Sequence, residues 1–198
     1  MGEISYQSTG LTHAQADVNR EEDGCLNIVD PPIKCPTWAC IILPCIKRIP
    51  SIALFSKIEP TEAEVLRESE WMVYDVQSVV RGDILKLAED DLVPADCRVV
   101  EVLDDEVVVD MGNVTGESKP HVVTKSNVGS DVEFCYGARV LAGSCVVVVT
   151  AIGPNTTLAK LMKSKKWPPA DRTKSGNGKT YEIVSMDDNS GISSNQIQ

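Results

Sequence analysis

Between residues 79 and 151 apolar and polar positions alternate in short runs, most of them built on valine. "VVRGDILKL" reads as a strand entered through the turn residues Gly82 and Asp83. "DDLVPADCRVVEVL" is a turn and then a strand: Pro94 sets φ, and Asp96 can bond back to the local backbone. "DDEVVVD" at 104–110 repeats the scheme, and "VEFCYGARVLAGSCVVVVTAIG" holds two more strands divided around Gly143. "LAKLMKSKK" predicts a short helix with basic residues at its end, where they complement the helix dipole. Closely spaced strands without strand–helix–strand alternation predict a mainly β protein, an antiparallel β-sandwich or distorted jelly-roll.

Other stretches give weaker or mixed signals. In "PTEAEVLRESEWMVYDVQ" (60–77), Thr61 and Glu64 have the spacing of a helix capping box. Yet "WMVYDVQ" alternates like a strand, and Glu68-Ser69-Glu70 could be a hairpin turn. Residues 1–34 are mostly polar and show no periodicity, so they are expected to be disordered, as is the polar tail 164–198. Residues 35–59 form an apolar arm interrupted by Pro36, Pro44, Pro50 and the pair Lys47-Arg48. Its apolar runs are too short for a membrane span of about 20 residues. It reads either as a membrane-surface anchor, with Cys40 and Cys45 as candidate lipidation sites, or as a hydrophobic segment packed on the domain.

Composition narrows the function classes. A net charge of −10 argues against non-specific binding to nucleic acid. Aromatic residues are only 5% of the chain, so the core must be aliphatic. The seven cysteines are an odd number and no apolar leader opens the chain, which predicts free thiols on the cytosolic side rather than a disulfide framework. Cys35, Cys40 and Cys45 recur every five residues, wider than a zinc knuckle, and no histidine lies near. Gly178-Lys179-Thr180 ends like a phosphate-binding loop, but Thr173 stands where its first glycine is needed. No cofactor is expected for the chain on its own.

The candidate chemistry lies in "VDMGNVTGESKPH" (109–121), a glutamate in a short polar loop after a run of valines. Four blocks in order carry a family resemblance: "VVRGDILKL", "DLVPADCRVV", "VDMGNVTGESKP" and "GARVLAGSCVVVVTAIGPNTTLAKL". About residues 62–162 resemble the actuator domain of P-type, cation-transporting ATPases. The resemblance places the domain at 60–163 and implies a hairpin with strands near 63–67 and 71–75, which makes the capping box a false signal. Gly112, Val114, His121 and Ala159 depart from the family's usual residues, and Ile152-Gly153-Pro154 replaces its T-G turn.

In P-type pumps, the resemblance implies, this loop removes a phosphate from an aspartate on another domain. Glu117 would then be the base, with Thr115, Gly116 and Ser118 as the other site residues. A carboxylate can take a proton from the attacking water, and glycine lets the backbone approach a phosphate closely. The chain holds no D-K-T-G-T motif; "DRTKSG" (171–176) does not match it. Three functions stay open: a stand-alone module acting on or regulating a cation pump at the cytosolic face of a membrane, a fragment of a full pump, and a non-catalytic binding scaffold. The expected partners are a pump's phosphorylation domain and a membrane surface, with Mg and ATP entering only through a pump's other domains.

Overall fold

Valine's branched β-carbon stiffens the side chain and favours extended backbone, and the valine runs are strands. The computed structural model describes residues 9–33, 49–126, 128 and 132–169. One sheet has six strands: β1 (Glu62–Arg67), β2 (Glu70–Asp75), β3 (Ile84–Leu87), β4 (Asp96–Val102), β7 (Glu133–Phe134) and β9 (Cys145–Ala151). Their order is β2-β1-β3-β9-β4-β7, and each neighbouring pair is antiparallel. A second sheet orders β6 (His121–Thr124), β5 (Glu106–Asp110) and β8 (Arg139–Ala142) as β6-β5-β8, again antiparallel.

The two sheets share one apolar core. Val65, Leu85, Val147 and Val149 come from the larger sheet, and Val107, Val109, Val123 and Val140 from the smaller. In β5 the valines at 107 and 109 are buried and Val108 between them is half-exposed, the period of two that a sandwich face requires. β9 lies between β3 and β4 with its first five residues buried, so it reads as an unbroken apolar run rather than an alternating one. Gly143 divides β8 from β9 at φ 77°; a Cβ there would lie 2.1 Å from the Glu106 carbonyl oxygen.

The expected hairpin is present, and Glu62–Arg67 is a strand where the capping box would start a helix. Its turn residues Glu68 and Ser69 both have positive φ, 51° and 71°. Tight hairpins need this geometry, but neither residue favours it. The N-terminal segment braces the turn: the amides of Glu68 and Ser69 donate to the carbonyls of Leu11 and Thr9 at 3.0 and 2.7 Å.

That bracing corrects the expectation of disorder over residues 1–34. Helix α1 (His13–Asp23) starts at a full capping box between Thr12 and Gln15 and stops at Gly24 in the left-handed region. It buries only Ala16, so it shows no apolar stripe to read. Polar ties hold it instead. The Asn19 amide donates to the Arg81 carbonyl at 2.8 Å, and Arg81 reaches Asp23 at 3.1 Å and Glu22 at 3.4 Å. Beyond the helix, buried Asn27 donates to the carbonyls of Val76 and Pro94 at 3.0 and 2.8 Å. Its Oδ1 accepts from the Gly153 amide at 3.0 Å.

Of the apolar arm, residues 35–48, with Cys40 and Cys45, lie outside the described residues. The remainder forms helix α2 (Pro50–Ile58), started by a proline at its first position, and Phe55 and Ile58 join the core. Among the described residues no helix is long and apolar enough to cross a membrane. Disorder from 164 onward is also corrected at its start: Trp167 is only 6% exposed and belongs to the core. It follows the predicted short helix, found at Thr157–Lys163.

Candidate functional site

The loop begins where β5 ends. The Asp110 carboxylate accepts the Gly112 amide at 2.8 Å, and Gly112–Thr115 then form a single helical turn, α3. Buried Met111 and Val114 root that turn in the core. Gly116 ends it at φ 88°, donating its amide to the Gly112 carbonyl at 3.0 Å. This left-handed position is one that glycine takes without steric cost. It serves a second purpose here, since a Cβ on Gly116 would lie 3.0 Å from Cβ of Pro169.

Thr115 stitches the turn to the glutamate. Its hydroxyl donates to the Met111 carbonyl at 3.2 Å and accepts the Glu117 amide at 3.4 Å. The backbone of Glu117 is thereby set, while its side chain is 45% exposed. Ser118 and Lys119 are exposed beside it, and Pro120 leads into β6. The four expected site residues are thus contiguous on a loop with a fixed base.

Sequence reasoning missed two partners of this loop. In the sequence His121 stands out only as a departure from the family's usual residue, yet its Nε2 meets Oε2 of Glu117. The i, i+4 spacing was visible, but the contact depends on the chain folding back through Ser118–Pro120. Trp167 falls in the stretch expected to be disordered, yet its indole Nε1 donates to the Asn113 carbonyl at 2.9 Å. Its ring meets Phe55 edge-on, with centroids 6.3 Å apart. A lone tryptophan in a polar run was the available signal.

The other motif residues are scaffold. Arg67 donates to Asp83 at 3.0 and 2.6 Å in a buried pair, and Asp83 also accepts the Val80 amide at 2.8 Å. Asp96 accepts from the Tyr136 amide at 2.9 Å and from the Thr157 amide and hydroxyl at 2.6 and 2.7 Å. Burial raises the Asp96 carboxyl above its ordinary range, although these bonds favour the charged form. Cys135 lies beneath the loop with its thiol 3.4 Å from the Met111 sulfur, and burial pushes that thiol up to about 12. Among the described residues no cluster of His, Cys, Asp and Glu could hold a metal ion.

A two-sheet antiparallel sandwich presenting a threonine-stitched T-G-E-S loop defines an actuator-type domain. The P-type ATPase actuator domain family matches residues 57–166, more than half of the chain, and the chain belongs to that family. A Dictyostelium discoideum protein named "Probable plasma membrane ATPase" is 36% identical over 96 residues, 48% of this chain and 8% of its own length. An endoplasmic reticulum-type calcium-transporting ATPase of Arabidopsis thaliana is 29% identical over 119 residues, 56% of this chain and 11% of its own. A calcium-transporting ATPase of Plasmodium falciparum is 25% identical over 121 residues, 56% and 10% respectively. The chain therefore spans about a tenth of the length of these relatives.

Proposed function

We propose that this chain supplies the dephosphorylating loop for a P-type cation pump, acting with the pump's phosphorylation domain. The observation that supports this is the exposed Glu117 carboxylate on a backbone pinned by Thr115 and by buried Met111 and Val114. In the proposed step, water attacks the phosphorus of an aspartyl phosphate in line. The new O–P bond forms as the bond to the aspartyl oxygen breaks, and aspartate leaves as its carboxylate. Glu117 takes the water's proton and later returns it to solvent, and inorganic phosphate is the product. No electrons change hands. Fixing the base before the reaction removes part of the ordering cost, and loss of general-base assistance lowers rates by about 10²–10⁴-fold. Mg and ATP belong to the pump's other domains.

The setting is the cytosolic face of a membrane. Phe55 and Ile58 are core residues, so the proposed anchor is the part of the arm before them, where Cys40 and Cys45 would take a lipid. A second reading has the same loop acting in cis within a longer pump, and it is favoured by the length of the relatives. Transcript sequence running on into D-K-T-G-T would establish it.

The direct test uses a calcium-transporting P-type ATPase held as its phosphoenzyme, its own TGES glutamate replaced by glutamine. The full chain should speed phosphate release and the Glu117→Gln variant should not. Equal effects of the two would make the chain a docking scaffold, and no effect of either would defeat action in trans.

A further inference from the structure

We propose that His121 is a positioning residue for Glu117, holding the carboxylate at the loop mouth through its Nε2. This rests on the reading of Glu117 as the base. The contact joins His121 Nε2 to Glu117 Oε2 across the reversal at Ser118–Pro120. The histidine end is fixed, because His121 opens β6 in register with Val109 of β5. The glutamate end is fixed by the Thr115 stitch. With both backbones set, the imidazole helps to orient the carboxylate. The side chains are 40% and 45% exposed, so water and a docking phosphoprotein can reach the pair.

An imidazole that carries its proton on Nε2 donates the positioning bond to a carboxylate oxygen, which only accepts.

The test repeats the phosphoenzyme assay at pH 8, subtracting the release seen without the chain. His121→Gln keeps an Nε2–H donor and should stay close to the wild-type rate. His121→Val lacks the donor and should be slower by at most about fivefold, the scale of one exposed pair. A Val variant as fast as wild type, or a Gln variant as slow as Val, overturns the positioning role. Failure of the base reading looks different, since Glu117→Gln would then match wild type. A second measurement needs no pump. At pH 8 the ring resonances of His121 should differ between wild type and Glu117→Gln; superimposed resonances overturn the pair.

Discussion

The indole nitrogen of Trp167 donates to the carbonyl of Asn113, 54 residues earlier, at 2.9 Å. One hydrogen bond thus fastens the chain leaving the domain to the helical turn beneath the T-G-E-S loop. Trp167→Phe should keep much of the ring packing on Phe55 and lose about 1 kcal/mol with the bond. Trp167→Ala should lose about 3–5 kcal/mol, the usual cost of emptying a large aromatic site. Urea unfolding followed by far-UV circular dichroism measures both, and equal losses would mean the hydrogen bond is the whole contribution.

Gly116→Ala meets two obstacles, the left-handed backbone and the 3.0 Å approach to Pro169. The backbone term alone is about 1–2 kcal/mol. Adding Pro169→Gly to the alanine variant should recover the steric part and leave the backbone part. A double variant no more stable than Gly116→Ala would show that Pro169 already yields.

The Arg67–Asp83 pair is buried, at 4% and 0% side-chain exposure. Removing one partner strands the other charge, so Arg67→Met or Asp83→Leu should each cost about 3–5 kcal/mol. Replacing both should cost less than the sum, because neither charge is left alone. A double-mutant cycle in urea reads the coupling, and strict additivity would argue that the pair contributes nothing as a pair.

Cys97, Cys135 and Cys145 are buried, and burial raises all three thiols, Cys135 and Cys145 to about 12. Alkylation needs the thiolate, so at pH 8 the native protein should leave these three unmodified. They should react once urea opens the fold. Peptide mass spectrometry after iodoacetamide separates the sites, and fast native labelling of Cys135 would contradict the packing under the loop.

Much of the fold was legible because the valine strands carry their own period and because Gly82, Gly143 and the Pro94–Asp96 turn punctuate them. The T-G-E-S loop was legible as a polar tip between strands. Helix α1 was not, since its partners are backbone carbonyls and a distant arginine instead of an apolar face. Its capping box and terminal glycine were present at Thr12, Gln15 and Gly24, but end signals without a stripe between them are easily passed over. The same capping pattern at Thr61 and Glu64 was a false start because tertiary pairing with β2 and β3 outweighs local propensity. His121 and Trp167 escaped because each acts through a contact that exists only after the chain has turned back on itself.

Asn27 has one further consequence. Its three hydrogen bonds, to Val76, Pro94 and Gly153, together with the strand-like contacts of Thr9 and Leu11, tie residues 9–33 to the sandwich. The segment therefore behaves as a bound peptide that happens to share a chain with its receptor. A protease cut between residues 33 and 49 should leave the two pieces associated, and a synthetic 9–33 peptide should restore a fragment that begins at residue 49. Asn27→Ala in that peptide should abolish the complementation.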